Sequence, residues 1–342
     1  MLIRLQSLFD RFPKLFRPTA VEPIGGSGLS GAEIFRTSSA LGRFALRCWP
    51  AEHPSDERLR SIHRLLGQAW QRGCEFIPIP VPSLSGETFI EFSDRRWQLE
   101  PWMPGEPETC GEPRPERLTA AFHTLARLHE ALAVENRHKH FYGPSPGLAE
   151  RIRVLEGCLS GDMHRLRNTF AQETSDIWPA RAQSYFKLFD RGAPAVYELL
   201  RQTASIEYPL QPVVRDVHRE HILFTDDQVT GLIDFGAMSV DNPAVDLARL
   251  LGSYEIDVAD QRAELLRDYS PHLLPEERLA VEAFDRSGAL LSPFRWLWWL
   301  FVERRSFRDP AAVARRFDVL LQRLTRLVDD AHSPPAFDPT DL

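Results

Sequence analysis

A chain of 342 residues with ordinary apolar content has room for one large domain or two medium ones, each with its own core. Its formal net charge of −7 argues against a nucleic-acid surface, which needs concentrated basic charge, and no apolar run approaches the ~20 residues that span a bilayer. The four cysteines, Cys48, Cys74, Cys110 and Cys158, are widely spaced with no C-x-x-C pair. That spacing argues against a zinc site or a disulfide framework and points to reduced, packed thiols and a cytoplasmic setting.

The amphipathic opening MLIRLQSLFDRFPKLF predicts a helix within 1–20 that packs on the body; with Asp10 and no small-residue cleavage site it does not read as a signal peptide. A short strand at 21–24 then enters the glycine cluster Gly25-Gly26-Ser27-Gly28-Leu29-Ser30-Gly31. Alternation predicts strands at 32–37 and 43–49, joined by a turn at 38–42. Ser55 caps a helix to about 69 with Leu59, Ile62, Leu65 and Leu66 on one face. The extended passage IPIPVPSLSG leads to a hairpin of 88–92 and 96–100, turning at Asp94-Arg95. PWMPGEP breaks the pattern, and the lobe boundary is placed there. Beyond it, helical spacing predicts helices at 116–133, 149–158, 178–203, 243–252, 276–291, 294–305 and 311–331. A hairpin of 221–225 and 230–234 interrupts them, and the polar tail at 333–342 is expected to be disordered. The expected organisation is α+β, with a β-rich lobe at 21–102 and a mostly helical lobe at 103–332.

The chemistry concentrates in VVRDVHREHILFTDDQVTGLIDFGAMSVDNPAVDLARLL, residues 213–251. Asp216 is followed by His221 five positions on, then a hairpin, then Asp234-Phe235-Gly236. A hairpin returns the chain to the same end of its strands, so it can bring Asp216, His221 and Asp234 together. Such a set suits phosphoryl transfer: one carboxylate accepts the proton of an attacking hydroxyl, and other groups hold metal on the phosphates.

This stretch resembles the aminoglycoside phosphotransferase and choline kinase branch of the protein-kinase-like superfamily, with its His-x-Asp-x-His-x-x-Asn, hairpin, Ile-Asp-Phe/Trp and Asp-Leu-Ala motifs. The resemblance implies a two-lobed kinase-like fold and transfer of a phosphoryl group from ATP, with Mg²⁺ or Mn²⁺, to a hydroxyl of a small molecule. It places Asp216 on the catalytic aspartate, Asp234 on the metal-binding aspartate, His218 on the second histidine and Asp246-Leu247-Ala248 on the last motif. Asp246 is expected to brace the catalytic loop. Val214 stands where the family has a bracing histidine, and His221 where it has a metal-binding asparagine. His221 either ligates metal, making the site more tolerant of Mn²⁺, or bonds Asp216 or the loop backbone.

Gly26, Ser27, Gly28, Ser30 and Gly31 are expected to cradle phosphate, although a glycine turn also serves a plain hairpin. Arg47 stands where kinases carry their phosphate-binding lysine. Glu57 and His63 are the two candidates on the following helix for its partner, and the sequence does not choose between them. Glu100-Pro101-Trp102-Met103 resembles the hinge that reads adenine; Pro101 has no N–H, which leaves Trp102 and Met103. The aromatic run 294–301 reads as core, with Arg295, Glu303, Arg304 and Arg305 as a solvated face or an acceptor contact. Two functions stay open: an active small-molecule phosphotransferase, or a degenerate nucleotide-binding scaffold. The acceptor and the oligomeric state are not legible.

Overall fold

The computed structural model describes residues 2–24, 31–109, 111–133, 141–171, 177–307 and 309–330. The expected tail at 333–342 lies outside them. Two compact units share the chain: Met1–His138 with Pro212–Ser239, and Lys139–Gln211 with Val240–Leu342.

The first unit opens with α1 (Leu2–Phe9), β1 (Ala20–Pro23), β2 (Glu33–Ser39), β3 (Gly42–Cys48), α2 (Asp56–Gln71), β4 (Ile90–Phe92), β5 (Arg95–Pro101), β6 (Glu106–Pro107) and α3 (Pro115–Ala133). The second unit begins with β7 (Tyr142–Pro144), α4 (Pro146–Gly157), α5 (Met163–Phe170), α6 (Pro179–Ala204) and β8 (Glu207–Pro209). At β9 (Gln211–Val213) the chain returns to the first unit for β10 (Ile222–Thr225) and β11 (Gln228–Leu232), and it leaves again at β12 (Ser239–Asp241). It finishes with α7 (Ala244–Ser253), α8 (Ala259–Tyr269), α9 (Pro275–Leu297) and α10 (Pro310–Asp330).

In the first unit, β1 to β5 form an antiparallel sheet in the order β1-β2-β3-β5-β4. Side chains alternate across a strand, so the sheet sorts its residues onto two faces. One face is apolar. Phe44, Leu46 and Cys48 of β3 meet Trp97 and Leu99 of β5 in a core that Leu5, Leu8 and Phe9 of α1 complete. The opposite face is polar. Register pairs Arg47 with Gln98 and Ala45 with Glu100, which puts Arg47, Gln98 and Glu100 side by side on that face. Ser55 Oγ accepts from Arg58 N at the start of α2, and Leu59, Ile62, His63, Leu66 and Ala69 form its buried face. A smaller sheet, ordered β11-β10-β6, carries the second hairpin.

Both hairpins differ from expectation. The first hairpin turns at Ser93 and Asp94, both with positive φ, one residue before the expected Asp94-Arg95. The second hairpin turns more tightly, so β11 covers Gln228–Leu232 and Asp234 lies beyond it.

In the second unit, α6 and α7 pack on α9. The expected separate helix at 294–305 is instead the end of α9, which continues through a wide π turn at Trp298–Val302. Phe301 packs tilted against Phe170 at 4.4 Å and edge-on to Trp178 at 5.6 Å, so this part of the aromatic run is core. Asp241 accepts from Ser145 Oγ at 2.5 Å and Gly147 N at 2.9 Å, anchoring the start of α4. Among the described residues, no helix is long and apolar enough to cross a membrane.

Candidate active site

The loop after β9 is held down by Val214 and Val217, both fully buried. Packing at Val214 thus supplies an anchor where the resemblance led one to expect a bracing histidine. Arg215 adopts φ +67°, a left-handed conformation that non-glycine residues rarely adopt, and Asp216 follows it. His221 N donates to His218 O at 2.8 Å, and Ile233 N donates to His221 O at 3.0 Å, tying the loop to the end of the hairpin. The His218 and His221 rings lie 3.7 Å apart by centroid. His221 Nδ1 is 2.8 Å from the Asp216 carbonyl oxygen. A carbonyl only accepts, so Nδ1 carries the proton and, in the neutral ring, Nε2 keeps its lone pair. Nε2 stands 3.8 Å from Asp234 Oδ2. The two readings of His221 are therefore compatible: one nitrogen holds the loop while the other is left to ligate.

Ligand atoms of Asp216, His218 and His221 all lie within 4.8 Å of one another. A carboxylate and two imidazoles gathered this closely form a donor set that could hold a divalent cation. The imidazole nitrogens suit Mn²⁺ better than Mg²⁺, which prefers oxygen. His218 is a donor that motif reading noted but did not place in the site.

Asp234 also adopts φ +67°, turning its carboxylate out of the strand direction. Its Oδ1 receives Arg47 Nη1 at 3.1 Å. Arg47 Nη2 lies 3.6 Å from Glu100 Oε1, and both Arg47 and Glu100 are buried. Arg47 is therefore paired with Asp234 and with a strand carboxylate, Glu100, and neither helix candidate fills that role. Glu57 is exposed on α2. His63 is buried and bonds Thr88 Oγ1 through Nδ1 at 2.7 Å and Gln98 Oε1 through Nε2 at 3.2 Å. Gln98 Nε2 in turn donates to Glu100 Oε2 at 2.7 Å, and Trp49 Nε1 donates to Gln98 Oε1 at 2.8 Å.

The Trp49 ring lies 5.0 Å from the Arg47 guanidinium carbon. On Gly236 a Cβ would come within 2.8 Å of this ring, so the glycine lets the loop after Asp234 approach it. Arg58 of α2 donates to Met238 O at 3.3 Å, binding the same loop from the helix side. Burial works against the charge on Arg47, but Glu100 and Asp234 outweigh it and hold its pKa above the ordinary value. Burial pushes the Glu100 carboxyl up, and Arg47 offsets this only in part. Arg47 Nε is buried with no hydrogen-bond partner among the described residues.

The remaining sequence candidates divide. Gly26, Ser27, Gly28 and Ser30 lie outside the described residues. Gly31 has φ +71°, a conformation that favours glycine. Trp102 N donates to Arg43 O at 3.1 Å, so this amide already belongs to the sheet. Its ring takes the Arg36 guanidinium at 4.7 Å, and Met103 is buried against Gly231. In the second unit, Asp246 is fully buried in α7, while Arg295, Glu303, Arg304 and Arg305 are exposed. Arg304 and Arg165 border an open cavity of about 600 Å³ in that unit.

The fold is that of the protein-kinase-like phosphotransferases. The model of the phosphotransferase enzyme family matches residues 21–284, and the chain belongs to this family. Solved structures agree in fold. An aminoglycoside phosphotransferase from Alicyclobacillus acidocaldarius superposes with a TM-score of 0.65 at 16% identity, covering 95% of this chain and 94% of its own. A spectinomycin phosphotransferase in complex with ADP and spectinomycin gives 0.66 at 11% identity, covering 94% and 97%. A choline kinase from Cryptosporidium parvum gives 0.55 at 16% identity, covering 96% of each chain. Comparison with curated proteins found no match.

Proposed function

We propose that the chain transfers the γ-phosphoryl group of ATP to a hydroxyl of a small molecule. The observation that carries this reading is the convergence of Asp216, His218 and His221 within 4.8 Å, with Asp234 beside His221 and Arg47 beside Asp234. Asp216 orients the acceptor hydroxyl and takes its proton. Asp234 and His221, with His218 next to them, are the residues that would hold Mg²⁺ or Mn²⁺, which when bound draws charge off the phosphates. Arg47 donates to phosphate oxygens, and its unpartnered Nε is an N–H still to be satisfied. Gly31, the described residue of the glycine segment expected to contact phosphate, adopts the left-handed φ of +71° that suits such a turn. With the Trp102 amide bonded in the sheet, the Met103 amide is the better reader of the adenine edge. In this scheme residues 21–102 bind nucleotide and 103–332 supply the catalytic loop and the acceptor site, in a cytoplasmic enzyme that engages neither nucleic acid nor membrane.

The direct test supplies ATP and metal with a panel of hydroxyl-bearing small molecules and detects phosphorylated product by mass spectrometry. Asp216→Asn should lower turnover about 10²- to 10⁴-fold while the protein stays folded. Full activity in that variant contradicts the assignment. A second reading, nucleotide binding without turnover, draws on one observation: Arg47 occupies Asp234 Oδ1. Tight binding of nucleotide with no product from the wild type on any acceptor would decide for it.

A further inference from the structure

We infer that Glu100, a strand carboxylate, is the positioning residue that holds Arg47 for the phosphates, and that helix α2 reaches this arginine only indirectly, through His63 and Gln98. The inference rests on the function proposed above.

Arg47 is bounded on three sides. Glu100 Oε1 forms an ion pair with one terminal nitrogen at 3.6 Å, Asp234 Oδ1 accepts from the other at 3.1 Å, and the Trp49 ring lies 5.0 Å from the guanidinium carbon. Of the two carboxylates, Glu100 is the one with a fixed address. It is buried, and Gln98 Nε2 holds its second oxygen at 2.7 Å. Gln98 is itself fixed from two directions by Trp49 Nε1 and His63 Nε2, both on Oε1. Asp234 is less buried, with its side chain 30% accessible, and stands beside the histidine cluster, where it would also be a ligand for a bound metal. With Asp234 so engaged, Glu100 would be the carboxylate left to hold Arg47.

Because β3 and β5 are paired strands, Glu100 and Arg47 are fixed by sheet register, and no movement of α2 is needed to bring them together. A cation set by a helix carboxylate follows the helix; this one follows the sheet. α2 contributes a neutral hydrogen-bonding side chain at His63 and its own hold on the loop after Asp234 through Arg58.

A merely structural ion pair is distinguishable from a positioning role. Calorimetric titration would compare adenosine with a non-hydrolysable ATP analogue plus Mn²⁺, for wild type, Glu100→Gln, Arg47→Met and, as a control, Glu57→Gln. Glu100→Gln should weaken the analogue about tenfold and leave adenosine unchanged, with Glu57→Gln like wild type. Equal loss for both ligands, or no loss in a folded Glu100→Gln, overturns the inference. Where Glu100→Gln does not fold, Glu100→Asp keeps the charge and withdraws it by one methylene. A selective loss of about threefold for the analogue is then expected, and an unchanged analogue affinity counts against the inference. Loss in Arg47→Met without loss in Glu100→Gln removes only the role of Glu100. No analogue binding by the wild type removes the proposed function and this inference with it.

Discussion

At His63 the imidazole is buried between Thr88 and Gln98, and burial pushes its pKa down to about 4 although Gln98 pulls the other way. An unfolded histidine titrates near ~6.5. Between those values the unfolded chain binds more protons than the folded one, so stability from this group is complete above about pH 6.5 and is lost as pH falls toward 4. Full loss amounts to about 3 kcal/mol. Urea melts of wild type and His63→Gln across this window should converge as pH falls; curves that stay parallel contradict the burial argument. His221 makes a different prediction. With Nδ1 on the Asp216 carbonyl and Nε2 left for metal, His221→Asn should shift the preference for Mn²⁺ over Mg²⁺ several-fold toward Mg²⁺. An unchanged ratio rejects it as a ligand. That Asp216, His221 and Asp234 would lie close together was legible because they sit on one loop and hairpin, where spacing in sequence is close to spacing in space. Glu100 as the partner of Arg47 was not legible. Their pairing depends on β3 lying beside β5, a register between distant strands that local pattern does not set.

Among elements, the long helices with continuous apolar stripes and the sheet of the first unit read directly from periodicity. The weaker elements did not. The segment ADQRAELLRDY forms α8 with Leu265 and Leu266 as its buried residues, and α5 buries only Met163 and Leu166, too little apolar signal for a period to show. β11 ended before its expected limit, and Asp234 lies beyond it in a left-handed conformation. In the second unit the buried Asp285 of α9 accepts from Arg262 Nη1 at 2.8 Å and from Arg323 Nη2 of α10 at 2.8 Å. Removing one partner of a buried pair strands the remaining charges, so Asp285→Ala should destabilise by about 3–5 kcal/mol in denaturant melts. A loss under about 1 kcal/mol contradicts a structural role for this network.

Across the whole molecule, the residues of the candidate site come from distant parts of the chain yet belong to one compact unit, Met1–His138 with Pro212–Ser239. The reading of reduced, packed thiols is also testable at this scale. Burial pushes Cys48 and Cys158 up to about 12 and raises Cys74, so none of the three carries much thiolate at neutral pH. These cysteines should label slowly in the native protein and quickly after denaturation; rapid native labelling at any of them contradicts their packing. The family and the fold agree with the motif reading, while the acceptor depends on a pocket whose shape no motif encodes. The central claim is that Asp216 and Asp234 converge on one metal-bound nucleotide. Its most direct test is titration of a non-hydrolysable ATP analogue with and without Mn²⁺, into wild type and Asp234→Asn. The account predicts that Mn²⁺ strengthens binding at least tenfold in the wild type and barely in the variant. Binding that ignores Mn²⁺ in the wild type, or keeps its full metal dependence in Asp234→Asn, contradicts it.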